Sequence, residues 1–347
     1  MVSVVHAAPA SAAPQAVAAW LDSLAGIYPR EDIDGFRAAF DYMQQRADAQ
    51  PAADGEKLVD RALATAGIVA GLKLDPASIR GALLAVLPAA KAFDAADVAS
   101  RFGDDVAALV GGVARMDSIR ARRVGATPEE RAAQSENLRK MLLAMVEDIR
   151  VVILKLAERL AALRWLMSGD EAPRREVARE VLDLYAPLAY RLGVWQLKWE
   201  LEDLSLRAIE PETYKQIAKL IDERRLDRQR YIEDVIETLK RELASSRIAA
   251  DVSGRPKHIF SIWSKMRRKQ AGIDSLYDIR AVSILVDDVK ACYTALGIVH
   301  HLWTPLPGEF DDYIAKPKAN DYRSLHTAVI GPEGKPLEVQ IRTREMH

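Results

Sequence analysis

The spacing of apolar residues changes along the chain, from a helical period to short strand-like segments. Between about residue 15 and residue 245, apolar side chains recur three and four positions apart, as on one face of a helix. Residues 212–247 are rich in charge within the same period and predict a long helical connector between two domains. In the clearest run, the apolar positions are Leu138, Met141, Leu142, Met145, Ile149, Val152, Leu156, Leu160 and Leu163.

After Ser246, short apolar segments alternate with helical ones. The strand-like segments are RIAADVSGR, IRAVSILV, HTAVIGP and PLEVQIRT, and the helical ones are KHIFSIWSKMRRKQ and KACYTALGIVHHLW. This alternation predicts an α+β domain with a mixed sheet. Residues 307–327 contain prolines and both signs of charge and predict a loop. The predicted organisation is an all-helical domain at 1–200, a helical connector at 201–247 and a sheet domain at 248–347.

Composition places the chain among globular proteins. Of its 347 residues, 49% are apolar and 29% are charged, which is enough to bury a core. Charges interrupt the longest apolar stretches before they reach the length of a membrane-spanning helix. The first residues lack the basic segment of a signal peptide, and the single cysteine, Cys292, excludes an internal disulfide. We therefore expect a cytoplasmic protein that does not bind a membrane.

A basic segment stands out because the net charge of the whole chain is only −1. Residues 254–270 hold six lysines and arginines and no acid. Ile259, Ile262, Trp263 and Met266 predict the buried stripe of a helix, while its basic side chains fall elsewhere. The start of such a helix, preceded by Arg255, favours an anion such as a polyphosphate. The alternative is a basic face that only contacts water.

Two carboxylates are placed to converge near this helix. Asp278 immediately precedes the strand-like IRAVSILV, and Glu338, Gln340 and Arg342 share one face of the last strand. A Mg²⁺ ion is typically held by one or two carboxylates together with substrate phosphates. The residues therefore suggest a phosphoryl-transfer site. Taken singly, Asp278 is also compatible with a turn or cap, and Glu338 with a solvent-exposed face.

Histidine is scarce in the helical half. The chain has six histidines, and none lies between residues 7 and 257. Imidazole and thiolate are the usual ligands of transition metals, so this half would need a site made of carboxylates alone. Glu147, Asp148 and Glu158 could supply one, although on amphipathic helices such residues usually form a solvated face. We expect no transition-metal chemistry there.

The motifs together resemble those of the RelA/SpoT family of stringent-response alarmone enzymes, over nearly all of residues 50–347. The matching motifs are GRPKHIFSIWSKM, YDIRAVSIL, FDDYIAKPKANDYRSLHTAV and LEVQIRT in the sheet domain, and RFGDDVAALVGGVARM and ENLRKMLLAMVEDIRVVILKLAERLAALR in the helical half. The resemblance implies an HD-hydrolase-like helical domain followed by a nucleotidyltransferase-like mixed sheet with flanking helices.

The helical half departs from the family pattern. The family's hydrolase holds manganese with a His, a His-Asp pair and a later Asp. In this chain residues 83–94, LLAVLPAAKAFD, contain neither a His nor an acidic run at the pair. Glu158 stands in the place of the later Asp, and Ala161 and Ala162 replace the usual His-Asn. The resemblance therefore implies a degenerate, inactive hydrolase domain, as in synthetase-only members.

The resemblance also implies a reaction and roles for individual residues. The family transfers pyrophosphate from ATP to the ribose 3′-OH of GDP or GTP and releases AMP. Asp278 would hold Mg²⁺, and Glu338 would orient or deprotonate the 3′-OH. The residues that would bind ATP are Arg255, Lys257, His258, Ser261 and Lys265. Those that would bind the guanine nucleotide are Lys318, Asn320, Tyr322, His326 and Gln340.

An acidic group precedes the guanine motif. Glu309, Asp311 and Asp312 follow the pattern of synthetase-only members, which implies a preference for GDP over GTP; a solvated acidic turn is the alternative. A second hypothesis is a regulatory or ribosome-docking module whose synthetase is held inactive by the helical half. The chain ends just after the last motif, so we expect a missing C-terminal regulatory region through which ribosome and tRNA would act. The oligomeric state stays open.

Overall fold

The structure is a computed structural model, and it describes residues 13–47, 50–120, 148–223, 225–254, 258–269 and 280–347. The chain forms two compact units. One consists of Met1–Ala189 with Val194–Ile209, and the other of Tyr190–Gly193 with Glu210–His347.

Among its described residues, the first unit consists of helices and connecting segments, with one isolated antiparallel bridge between Pro51 and Lys57. Helices α3 and α7 are buried along most of their length, because Ala, Leu and Val cover more than one of their faces, and α3 packs against α4 and α7. The helices that this unit contains or shares are α1 (Pro14–Ser23), α2 (Arg30–Ala47), α3 (Leu58–Gly71), α4 (Pro76–Leu84), α5 (Ala95–Phe102), α6 (Asp104–Arg120), α7 (Ile149–Leu166), α8 (Glu171–Glu180), a π-helical segment (Val181–Tyr185), α9 (Ala186–Arg191) and α10 (Trp195–Ile209).

Aspartates begin several of these helices. The Asp75 carboxylate accepts a hydrogen bond from the Ser78 amide (3.1 Å) at the start of α4, and Asp94 accepts from two amides at the start of α5. Asp148 does the same for α7, where it accepts from the Arg150 amide at 2.9 Å. Such caps satisfy amides that have no partner inside the helix. Asp148, weighed above as a metal ligand, is therefore a helix cap that also pairs with the Arg150 guanidinium.

The second unit is built on a five-stranded mixed sheet with the strand order β1-β2-β5-β4-β3. Strands β2 and β5 run parallel, and the other neighbours are antiparallel. The predicted order of a helical domain followed by a mixed sheet with flanking helices is confirmed. Its elements are α11 (Pro211–Glu223), α12 (Arg225–Ser245), β1 (Ala250–Gly254), α13 (Ile259–Lys269), β2 (Ala281–Val286), α14 (Val289–Leu302), β3 (Thr304–Asp312), β4 (Leu325–Ile330), a 3-10 turn (Pro332–Gly334) and β5 (Pro336–Thr343).

One face of the sheet is apolar and is covered by two helices. Residues of α12 and α14 form a single core with alternate residues of the strands. The predicted connector at 201–247 is therefore not a separate element. Its first part, α10, belongs to the helical unit, whereas α11 and α12 belong to the sheet unit. Helix α12 belongs to the sheet unit because its apolar stripe packs into the core of that unit. The stripe repeats every four residues and consists of Tyr231, Val235, Leu239 and Leu243.

Part of the predicted loop at 307–327 is a strand, so that expectation was wrong for residues up to Asp312. β3 lies at the edge of the sheet and, of the described strands, pairs only with β4, with an irregularity in register between Pro305 and Phe310. Proline lacks an amide proton, so a strand that contains it is tolerated at an edge or a bulge. Two prolines and a glycine in TPLPGEFDD concealed the strand.

Within the described ranges, no helix is both long and apolar enough to cross a membrane.

Candidate active site

A row of polar side chains crosses the face of the sheet opposite the α12–α14 core. Ser283 of β2 pairs with Gln340 of β5, Gln340 with His326 of β4, and His326 with Asp311 of β3. Residues directly opposite one another on paired strands point to the same face. The polar row therefore consists of Ser283, Gln340, His326 and Asp311. It brings together two predicted guanine-binding residues and one predicted selectivity residue.

Glu338 lies beside this row on β5. The Gln340 side chain is only 3% exposed, and its Nε2 donates a hydrogen bond of 2.7 Å to Oε1 of Glu338. Val339 and Ile341, on the other face, are fully buried in the core. A buried amide that binds one carboxylate oxygen restricts the rotation of Glu338. The carboxylate is a hard oxygen donor, the type of ligand that Mg²⁺ takes, so the chemistry of this part of the site fits the ion.

A tight turn before β4 brings two of the predicted guanine-binding residues together. The Asp321 amide donates to the Lys318 carbonyl (2.9 Å), and the Lys318 amide donates to the Tyr322 carbonyl (3.2 Å). Asp321 has φ = 57°, a left-handed conformation that aspartate tolerates better than most residues. The turn closes on itself and places Lys318 next to Tyr322.

Three rings and a lysine form a cluster around His326, which also belongs to the polar row. The centroid of the His326 ring lies 5.7 Å from the centroid of Tyr322 and 5.2 Å from the centroid of Tyr313. Nζ of Lys318 is 4.2 Å from the Tyr313 centroid and 5.4 Å from the Tyr322 centroid. Flat aromatic faces next to a cation suit a nucleobase that carries phosphates. We call Tyr313, Lys318, Tyr322 and His326 the ring cluster.

Tyr313 is a member of this cluster that the sequence reasoning missed. Burial, and next its hydrogen bond to the Asp311 side chain, raise the pKa of Tyr313 above its ordinary value. It therefore stays protonated and links the acidic end of the polar row to the rings. The available signal was an aromatic residue directly after two aspartates, in the same stretch as Tyr322.

Asn320 holds the same turn. Its Nδ2 donates to the Tyr190 carbonyl at 2.8 Å, and both residues belong to the second unit. Its Oδ1 accepts a hydrogen bond of 3.4 Å from the Tyr322 amide. These bonds give Asn320 a structural task, and its predicted contact with the guanine nucleotide stays a prediction.

The three predicted selectivity residues have different surroundings. Asp311 is in the polar row, whereas Asp312, its neighbour on the strand, points to the other face. One oxygen of Asp312 accepts from the amides of Ile314 (3.0 Å) and Ala315 (2.8 Å), and the other accepts from the Tyr293 hydroxyl at 2.9 Å. Asp312 therefore closes the turn after β3, and Glu309 is exposed in the irregular part of that strand.

The basic helix α13 has the predicted buried stripe. Ile262 packs against Ile217 of α11, and the other three stripe residues pack against the same small core. Ser261 and Lys265 lie one turn apart on this helix, and His258 immediately precedes it. The remaining predicted ATP ligands and the predicted metal ligand, Arg255, Lys257 and Asp278, lie outside the described residues, as does Glu147. The geometry of the ATP half therefore stays a prediction.

The helical unit contains cations where the family resemblance implies a metal. Glu158 accepts hydrogen bonds from Arg61 (2.9 Å) and Arg159 (2.7 Å), and its third ion pair, with Lys155, measures 2.8 Å. Burial alone would raise the pKa of Glu158, but the charges of Arg159 and Lys155 hold it well below its ordinary value. Among the described residues, no group of three or more His, Cys, Asp or Glu side chains is arranged to hold a metal ion. These residues do not fit a metal.

The two units match two known protein regions. Residues 39–195 match the HD domain, and residues 254–347 match the region found in RelA/SpoT proteins. Fold and site together therefore define a two-domain protein with an HD-type helical unit and a RelA/SpoT-type sheet unit. The chain belongs to the RelA/SpoT family.

Curated relatives match most of this chain. It is 44% identical to a GTP pyrophosphokinase of Escherichia coli K12 over 94% of its length, and 48% identical to one of Haemophilus influenzae over 80%. These matches span only 44% and 37% of the relatives' own lengths. Among solved structures, small alarmone synthetase 1 from Bacillus subtilis is 27% identical, covering 35% of this chain and 70% of its own, with a TM-score of 0.31.

Proposed function

We propose that the protein is an alarmone synthetase that transfers the β,γ-pyrophosphoryl group of ATP to the 3′-OH of a guanine nucleotide and releases AMP. The observation that carries this proposal is the Glu338 carboxylate, oriented by buried Gln340 and set beside the ring cluster. The names of the relatives, GTP pyrophosphokinases, support the same reaction.

Glu338 acts on the acceptor hydroxyl. It takes the proton of the 3′-OH as the oxygen attacks the β-phosphorus of ATP. The new bond joins the 3′-oxygen to that phosphorus, and the bond to the oxygen bridging the α- and β-phosphates breaks. AMP leaves with the electron pair of that bond. Gln340 holds the carboxylate in position for the proton transfer.

The ring cluster binds the acceptor. Tyr322 stacks on the guanine, and Lys318 lies close enough to pair with a phosphate of the same nucleotide. The ATP phosphates are held by the basic residues around α13, Arg255, Lys257 and Lys265, with His258 and Ser261 nearby. Asp278 is the proposed ligand of Mg²⁺. When bound, this ion neutralises the negative charge of the phosphates.

We further propose that GDP is the preferred acceptor. Asp311 is the one aspartate of the acidic group that lies in the polar row, and it is bonded to Tyr313 of the ring cluster. A negative charge there repels an additional acceptor phosphate. Asp311 is paired with His326, a member of the ring cluster that binds the acceptor. A substitution at Asp311 therefore changes the charge next to the acceptor nucleotide.

The helical unit is proposed to lack hydrolase activity. Its Glu158 carboxylate is surrounded by three cationic side chains, which leaves a divalent ion no favourable place. Incubation with guanosine tetraphosphate and Mn²⁺ is expected to release no pyrophosphate. Release of pyrophosphate from that substrate would overturn this part.

The synthetase proposal is tested by incubating the purified chain with ATP, GDP and Mg²⁺ and separating the nucleotides. Guanosine tetraphosphate and AMP are expected in equal amounts, and Glu338→Gln is expected to lower the rate at least about 100-fold. Ribosomes and tRNA are added in parallel, because the family resemblance implies both as partners. If no product forms under either condition, the chain is instead a regulatory or docking module.

A further inference from the structure

Arg61 lies at the centre of three carboxylates inside the helical unit. Its side chain is 4% exposed. Nη2 binds Oδ2 of Asp54 at 2.6 Å, Nη1 binds Oε1 of Glu158 at 2.9 Å, and Nε binds Glu56. Each nitrogen of the guanidinium thus has its own carboxylate. The carboxylates come from two separate parts of the chain, the segment before α3 and helix α7.

Two more buried cations surround the same group. Lys155 is 1% exposed and pairs with Glu158 and Asp117, and Arg159 is 8% exposed and pairs with Glu158. Glu158 therefore has a cationic partner on each of its oxygens. We call Asp54, Glu56, Arg61, Lys155, Glu158 and Arg159 the ion cluster.

Converging carboxylates need a positive charge between them. Burial raises the pKa of Glu56 to about 7 even beside Arg61. Removal of Arg61 would leave Asp54, Glu56 and Glu158 facing one another with little water, where like charges repel strongly. In metalloproteins a hard divalent ion supplies the charge. In this unit a guanidinium supplies it, with hydrogen bonds in several directions at once. While the guanidinium is in place, an added divalent ion would meet its charge together with those of Lys155 and Arg159.

We propose that Arg61 is a built-in replacement for a divalent metal ion in the helical unit. Its guanidinium holds the 54–56 segment and helix α7 against α3, the task that a metal performs where carboxylates converge on an ion. The unit therefore folds and keeps its shape whether or not divalent ions are present. The inference is independent of the proposed synthetase activity, because it concerns only the first unit and is tested without nucleotides.

The sharpest test is to remove the cation and offer a metal in its place. Arg61→Ala leaves three carboxylates around a space of guanidinium size and is expected to lower the melting temperature by about 10 °C. Hydrogen exchange of residues 50–63, measured by mass spectrometry, is expected to speed up locally. In the variant, millimolar Mn²⁺ is expected to raise the melting temperature and slow the hydrogen exchange of residues 50–63 most of the way back to the values of the unaltered protein. In the unaltered protein, Mn²⁺ is expected to change neither quantity.

A matched control is Arg80→Ala in the same unit. Arg80 pairs with a carboxylate of α2, Asp32 (2.9 Å), and at 23% side-chain exposure is less buried than Arg61. Arg80→Ala is expected to lower the melting temperature less than Arg61→Ala does, and Mn²⁺ is expected not to restore it. Equal rescue of both variants would show a general effect of the ion and would overturn the proposal.

A second measurement covers the case in which Arg61→Ala does not fold. The unaltered protein is dialysed against Mn²⁺ without nucleotide, then against buffer, and its metal content is measured. No retained manganese is expected, and EDTA is expected to leave the melting temperature unchanged. Stoichiometric manganese in the helical unit, lost together with stability in EDTA, would overturn the proposal. Arg61→Lys keeps the positive charge but loses the planar guanidinium that binds three carboxylates at once. This variant is expected to fold with a melting temperature between those of Arg61→Ala and the unaltered protein.

Discussion

The hydroxyl of Tyr322 lies 2.9 Å from Nε2 of His326, and the planes of the two rings meet at 88°. The hydrogen bond and the edge-to-face contact fix the Tyr322 ring relative to strand β4. A ring held in this way loses little rotamer freedom when a base stacks on it. Tyr322 therefore contributes to acceptor binding in two ways: its flat face stacks on the base, and its hydroxyl holds the ring in place.

Replacing Tyr322 tests these contributions. Tyr322→Ala removes the stacking surface and is expected to raise the KM for GDP about tenfold or more, since a stacked base contributes about 1–3 kcal/mol. Tyr322→Phe keeps the ring and removes the hydroxyl that bonds to His326, so we expect the KM for GDP to rise only a few-fold. Steady-state kinetics at saturating ATP measures both. Equal effects of the two variants would contradict stacking as the main contribution.

The neighbouring aspartates of β3 should differ in their effects. Asp311→Ala is expected to lower the preference for GDP over GTP, because it removes the negative charge from the polar row. Asp312→Ala is expected to leave that ratio unchanged and to lower the free energy of unfolding by about 1–2 kcal/mol, because it loses the turn that it caps. The ratio of kcat/KM for the two acceptors and urea unfolding provide the readouts. A changed ratio in Asp312→Ala alone would reverse these assignments.

Gln340 is expected to act as a positioning residue. Gln340→Leu has a similar volume and removes the hydrogen bond to Glu338, so kcat should fall about tenfold while the KM for GDP changes much less. Gln340→Glu places a second carboxylate next to Glu338 and is expected to be worse than the Leu variant. A rise in KM without a fall in kcat would instead identify Gln340 as a nucleotide contact.

His300 should make the sheet unit less stable in mild acid. Its Nε2 lies 2.8 Å from Oγ1 of Thr327, and burial lowers the pKa of His300 below its ordinary value. The unfolded chain then binds a proton more readily than the folded one, so stability falls as the pH drops below about 6.5, by at most about 1.4 kcal/mol per pH unit. Urea unfolding between pH 5.5 and 7.5 is expected to show a shallower pH dependence for His300→Gln. An unchanged slope would contradict this assignment.

Periodicity predicted much of the fold. The four-residue stripe of α13, from Ile259 to Met266, lies in a core as expected, and β5 matches the predicted PLEVQIRT at both ends. Both elements have patterns set by local sequence, because burial repeats along a helix or a strand with a fixed period. The shared face of Glu338 and Gln340 followed from the same alternation.

Features that depend on distant parts of the chain were not predictable in this way. The polar row depends on the register between four strands, and an irregularity in β3 determines that Asp311, and not Asp312, joins it. Tyr313 enters the ring cluster for the same reason. Arg61 and Glu158 are 97 residues apart, and no local pattern indicates that they meet. The prediction for Glu158 was a solvated face, and burial among three cations contradicts it.

The position of β5 has a consequence for how the sheet unit is made in the cell. β5 is the last of the five strands to be synthesised, yet it lies between β2 and β4 in the sheet. Until Thr343 has left the ribosomal tunnel, no strand joins β2 to β4, and the polar row lacks Gln340, one of its four residues. The parallel pairing of β2 with β5 then closes a long loop, which is a slow step in folding. A nascent chain therefore exposes the unpaired edges of β2 and β4 until β5 inserts between them. Chaperones that bind exposed strand edges would act on the chain during this time.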